Sequence, residues 1–116
     1  SIWKNITMSI LNVMRNNSRF YKKVLECEDA KECLFSALGR VSCSYTGKTA
    51  FPGVYSAWDG TLCAWAQHDF QETPEEMYLT LVLNLPIREV LPDGELDRAI
   101  QNYENKTLDQ FRLEGN

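Results

Sequence analysis

Apolar residues at the start of the chain recur at helical spacing. They lie three or four positions apart and would share one face of an amphipathic helix of about 2–15. The residues of this face are Ile2, Trp3, Ile6, Ile10, Val13 and Met14. A second helix is expected to begin near Arg19 and either to continue or to restart at Glu28 or Asp29, with Gly39 as the C-terminal cap. The Pro92-Asp93-Gly94 turn precedes a last helix of about 95–112.

The middle of the chain changes from a helical period to a period of two. Val41 to Tyr45 alternates apolar and polar residues, and Phe51 to Ala57 and Thr61 to His68 have β-type composition. Asp59-Gly60 between the last two runs favours a hairpin turn. The pattern predicts an α+β fold, in which N- and C-terminal helices pack on a small antiparallel three-stranded meander.

The segment after His68 has two interpretations. Thr73-Pro74-Glu75-Glu76 matches a capping box with proline at the first helical position, which predicts a helix. Tyr78 to Leu85 also alternates, with leucine at every second position, which is typical of a strand. We favour the helix, because its start signal has a physical mechanism.

Length and composition indicate one globular domain over residues 1–116. The chain is 44% hydrophobic and 24% charged, which are ordinary globular values. It has no apolar run that would span a bilayer and no secretory signal pattern, so we expect no membrane partner. Four cysteines are too few for a disulfide scaffold and favour a cytoplasmic protein, whereas three N-x-S/T sequons leave a secreted or periplasmic, disulfide-bonded protein as the alternative.

Charge is distributed unevenly along the chain. Residues 1–25 contain five basic residues and no acidic one, while residues 26–116 contain 7 basic and 16 acidic residues. An acidic body attracts basic partners and repels nucleic acid. Basic and aromatic residues are interleaved between Arg15 and Lys23, as in single-strand binders, but the acidic remainder argues against nucleic acid as the main partner.

Catalytic and metal-binding patterns are weak. The alternative function is a small cysteine-dependent enzyme. Its nucleophile would be Cys63 or Cys43, with His68 as the base and Asp69 or Asp59 orienting the histidine. The cysteine spacings do not match the close ligand pairs of structural zinc, and no phosphate-binding loop is present. We therefore expect no cofactor and no metal.

Recognition of another protein is the remaining interpretation. Aromatic anchors and nearby carboxylates are the residue types that bind a basic partner. The alternative for the tryptophans is that they fill the core. We expect a non-enzymatic, acidic inhibitor or immunity-type protein that neutralises a basic partner such as a toxin nuclease, with an interface formed by Tyr55, Trp58, Asp59, Trp65, Asp69, Glu72 and Glu75. The oligomeric state is left open.

Overall fold

The structure, a computed structural model, describes residues 2–46, 52–89 and 91–114. These residues form seven helical segments. In chain order they are α1 (Ile2–Asn16), α2 (Ser18–Glu26), α3 (Glu28–Thr46), α4 (Pro52–Gln67), α5 (Pro74–Leu83), the short α6 (Leu85–Arg88) and α7 (Glu95–Glu114).

The predicted α+β fold is wrong, because the described residues are helical and form no strand. The first predicted strand, Val41 to Tyr45, is the last part of α3, so Gly39 lies inside this helix and does not cap it. The other two predicted strands lie within α4 and the turn that follows it, apart from Phe51, which is outside the described residues. Asp59-Gly60 is therefore not a hairpin turn.

The buried positions of α4 explain why this segment is a helix. Their spacing alternates between three residues and one, which follows one face of a helix through three turns. A strand would place neighbours such as Ala57 and Trp58 on opposite faces, so only one of each adjacent pair could be buried against a single layer. The buried side chains are Val54, Ala57, Trp58, Thr61, Leu62, Trp65 and Ala66.

The helices predicted near both ends of the chain are confirmed. α1 begins at the predicted residue, but its buried face is Trp3, Thr7, Leu11 and Met14, which leaves Ile2 and Val13 exposed. The segment with two interpretations is a helix: the hydroxyl of Thr73 accepts a hydrogen bond from the backbone N–H of Glu76 at 3.2 Å. This bond satisfies one of the free amides at the start of α5.

α4 is the central helix of the packing. It contacts α2, α3, α5 and α6, while α5 also contacts α1 and α7. Its two tryptophans are fully buried, and the core continues into α1, α3 and α5 through Leu11, Phe35 and Leu81. Every other described long helix therefore lies against α4 or directly against one of its neighbours, and α7 does so through α5.

Gly60→Ala should raise the free energy of unfolding by about 0.5–1 kcal/mol, because glycine inside a helix is less favourable than alanine by that amount. A Cβ at Gly60 would meet nothing within 4 Å, so no clash offsets this gain. In the type I′ turn that the sequence predicted, residue 60 would have positive φ and alanine would destabilise the protein. Urea denaturation measures the difference.

The matched control is Gly94→Ala. Gly94 has a φ of 78°, and a Cβ there would lie 3.3 Å from Arg98 Nη1. Alanine at this position should lower stability. A loss of stability in both variants would contradict a helical Gly60.

Candidate functional site

Two of the predicted interface residues lie one turn apart on α4 and face α3. Tyr55 and Asp59 are separated by four residues, as are Glu28 and Glu32 on α3, so each pair shares a helix face. Lys31 lies between the two helices, with its Nζ 3.1 Å from Glu28 Oε1 and 3.5 Å from Asp59 Oδ1. We call Glu28, Glu32, Tyr55 and Asp59 the α3–α4 acidic face.

Negative charge exceeds positive charge on this face. The carboxylates of Glu28 and Asp59 contact the ammonium of Lys31, and Glu32 adds a third negative charge beside Tyr55. The hydrogen bond to Glu28 raises the pKa of Lys31, so it stays protonated. The Lys31 side chain is only 16% exposed, whereas that of Glu28 is 87% exposed. The outer part of the face therefore presents carboxylates to solvent while its cation lies beneath them.

Tyr55 provides the aromatic part of the α3–α4 acidic face. Its ring is half-buried and packs edge-on against Phe35, with the ring centroids 5.5 Å apart. Burial, followed by the charges of Glu32 and Asp59, raises the pKa of the Tyr55 hydroxyl. The phenol is thus neutral at physiological pH and is held in a fixed orientation beside the two carboxylates.

Trp58 and Trp65 lie in the core rather than on the predicted interface. Each is 1% exposed. Trp65 packs against Phe70, with the ring centroids 4.9 Å apart, and its Nε1 donates a hydrogen bond to the backbone oxygen of Glu72 at 3.0 Å. In this conformation neither indole reaches solvent, and both stabilise the packing of α4.

The remaining predicted acids form a separate group at the turn between α4 and α5, and each is paired with a base. Asp69 contacts Lys22 at 2.9 Å, Glu72 contacts Nδ1 of His68 at 2.6 Å, and Glu75 pairs with Lys106. These hydrogen bonds lower the pKa of Asp69 and of Glu72. Asp59 lies eight residues before the end of α4, so about 12 Å of helix axis separates it from the turn that holds this group.

Cys63 does not have the surroundings of a catalytic thiol. Its Sγ donates a hydrogen bond to Asp59 Oδ1 at 3.1 Å, and burial together with this bond raises the pKa of Cys63 to about 11. A nucleophilic cysteine needs a lowered pKa. Cys63 lines a groove of about 400 Å³ between α2, α3 and α4. His68 lines a different groove, of about 350 Å³, between α4 and α5.

No observation in the described residues therefore favours the cysteine-dependent enzyme. The side chain of Cys43 lies outside the part that the structure describes. Among the described side chains, no group of three or more His, Cys, Asp or Glu is placed to hold a metal ion. Cys27 and Cys33 are exposed free thiols.

Glu28 and Glu32 were missed by the sequence analysis, although a signal for them was present. Both pairs, Glu28 with Glu32 and Tyr55 with Asp59, have a spacing of four, which places residues together only on a helix. The interpretation of residues 51–57 as a strand separated Tyr55 from Asp59 across a turn. A helical interpretation of α4 would have identified the pair.

Comparison with known protein families, with curated proteins and with solved structures finds no match for this chain. Among the described helices, none is both long enough and apolar enough to cross a membrane.

Proposed function

We propose that this chain is a non-enzymatic protein-binding module that recognises a basic partner through the α3–α4 acidic face. The observation that supports this proposal is the placement of Tyr55 and Asp59 beside Glu28 and Glu32, around a single lysine. These are the two predicted interface residues that are neither fully buried in the core nor located at the α4–α5 turn.

The chemistry of the face suits arginine or lysine side chains. Carboxylates form charge-assisted hydrogen bonds with a guanidinium group, and a tyrosine ring accepts a cation over its face. Because Lys31 already lies below the carboxylates, a partner cation can approach only from the outer side, towards Glu28 and Glu32. Electrostatic attraction of this kind mainly raises the association rate and selects against acidic partners.

An inhibitor or immunity-type role follows from the same chemistry. A nuclease that binds phosphate presents a basic surface, and a small acidic domain can cover it. We therefore propose a toxin nuclease as the class of partner. A cytoplasmic location accompanies this proposal, because exposed thiols such as Cys27 and Cys33 stay reduced there.

The double variant Glu28→Lys, Glu32→Lys should weaken partner binding at least about tenfold, because it places two cations opposite a basic surface. Affinity capture from the native source, read by mass spectrometry, identifies the partner, and titration with the purified partner measures the change. The matched control reverses two exposed acids elsewhere, Glu89→Lys with Glu104→Lys.

If the proposal is correct, the wild type and the control capture the same basic protein, and the Glu28→Lys, Glu32→Lys variant does not capture it. Equal capture by all three proteins would contradict it, as would capture of acidic proteins only. Circular dichroism of each variant verifies that a loss of capture does not result from unfolding.

A further inference from the structure

The outward face of α2 has an exposed aromatic ring between two cations. Arg19 and Lys23 are four residues apart, and Phe20 precedes Lys23 by three, so the three side chains share one face. All three are exposed, and Phe20 is 62% exposed. The Phe20 ring lies edge-on to that of Tyr21, with the centroids 5.1 Å apart. We call Arg19, Phe20 and Lys23 the α2 basic face.

The charge around this face is positive. Arg15, at the end of α1, is also exposed, and its guanidinium donates a hydrogen bond to the backbone oxygen of Gln71 at 3.4 Å. Lys22 and Asp69 neutralise one another in an ion pair. Glu26 is the acid on α2 itself; it lies three residues after Lys23 and its charge also acts on Lys22. Arg15, Arg19 and Lys23 outnumber this one acid.

The shape of the face decides what it can bind. Single-stranded nucleic acid stacks successive bases on several rings in a groove. Here Tyr21 is half-buried, so Phe20 is the one ring of this stretch that projects, and it does so from the convex side of a helix. A convex face with one projecting ring and flanking cations suits a soft, flat, anionic surface, where the ring enters an apolar layer and the cations remain beside negative groups.

We propose that the α2 basic face docks on the surface of an anionic phospholipid bilayer. Phe20 inserts at the level of the acyl chain boundary, and Arg15, Arg19 and Lys23 lie among the phosphate and carboxylate headgroups. This surface is separate from the α3–α4 acidic face. The proposal differs from the expectation of no membrane partner that was drawn from the sequence, because here the basic residues of the N-terminal quarter contact lipid.

The acidic remainder of the protein does not prevent this docking. The protein is about 51 Å in its longest dimension, whereas charges in physiological salt are screened over about 8 Å. Each Lys or Arg near an anionic membrane strengthens binding about fivefold. Three such cations and one buried ring give reversible, salt-sensitive binding.

Cosedimentation with vesicles tests the proposal on the whole chain. The protein should bind vesicles of phosphatidylcholine mixed with phosphatidylserine, should bind pure phosphatidylcholine far more weakly, and should be released by added salt. Arg19→Glu with Lys23→Glu should reduce binding at least about 25-fold, and Phe20→Ala should reduce it about tenfold.

Matched controls separate this face from the rest of the surface. Arg40→Glu with Arg88→Glu reverses two exposed cations on α3 and α6, and Leu83→Ala removes an exposed apolar side chain from α5. Both controls should bind vesicles like the wild type. The proposal is overturned if the controls lose vesicle binding as much as the α2 variants do. It is also overturned if the wild type binds vesicles with and without phosphatidylserine equally well. Binding to a single-stranded oligonucleotide that depends on Phe20, without vesicle binding, would also overturn it.

Discussion

Trp58→Ala should lower the free energy of unfolding by about 3–5 kcal/mol, which is the range for removing a large buried aromatic side chain. Trp58 is 1% exposed on α4, a helix that contacts four others, so the cavity would open within the core that joins them. Small domains have a total stability of only about 5–15 kcal/mol. We expect the variant to unfold at a much lower urea concentration than the wild type.

Phe20→Ala is the control for Trp58→Ala, because it truncates an aromatic side chain that is 62% exposed. Its stability should remain within about 0.5 kcal/mol of the wild type. From the sequence, Trp58 was predicted to lie at an interface. A Trp58→Ala protein that keeps its stability but loses its partner would support that placement and contradict the core position.

Tyr78→Phe should cost about 1.5–3 kcal/mol of stability, the range for a buried hydrogen bond to a charged group. The hydroxyl of Tyr78 on α5 donates a hydrogen bond to Glu95 at the start of α7, and Glu95 is 1% exposed. Arg98 binds the other oxygen of this carboxylate at 3.0 Å. Phenylalanine keeps the ring but leaves a buried carboxylate oxygen without this donor. Thermal denaturation of the two proteins measures the loss.

The pH dependence of stability provides an independent measurement for Tyr78. Burial, and then the bond to Glu95, raises the pKa of Tyr78 well above its ordinary value of 10.0. Below pH 10 the Tyr78 hydroxyl keeps its proton in both the folded and the unfolded chain, whereas just above pH 10 only the unfolded chain loses that proton. The wild type should therefore lose stability as the pH rises above 10, and Tyr78→Phe should lose less.

The control for this pair is Tyr103→Phe, which removes a hydroxyl from an exposed ring on α7. It should change the stability at neutral pH far less than Tyr78→Phe does. If the two tyrosine variants behave alike, the Tyr78 hydroxyl is not what connects α5 to α7.

The helices near both ends were predictable because their signals have one meaning. Apolar spacing of three and four identified α1, and the Pro92-Asp93-Gly94 turn identified the start of α7. In the segment with two interpretations, the capping box favoured the helix α5 over the alternating leucines. The middle was not predictable from the same rules. Val41 to Tyr45 alternates over only five residues, and extending α3 by one residue adds a hydrogen bond without a new nucleation cost. Once residues 52–67 are helical, the described part offers no strand with which this run could pair.

The candidate site was predictable only in part, for two physical reasons. The first is that a residue type does not determine burial. Tryptophan is common at interfaces, but Trp58 and Trp65 are buried in the core. The second is that charge pairing over long sequence separations cannot be counted along the chain. Lys22 neutralises Asp69 from 47 residues away, a pairing that neither local sequence reveals.

The packing of α1 has a consequence for the synthesis of the chain. The ring of Trp3 lies 5.9 Å from that of Tyr78, which is 75 residues later in the sequence, and α1 packs against α5. At about 5–20 residues per second, a ribosome needs roughly 4–15 seconds to add those residues. During this interval the apolar stripe of the newly made first helix lacks its final cover, so α1 reaches its native environment only after translation has passed the middle of the chain.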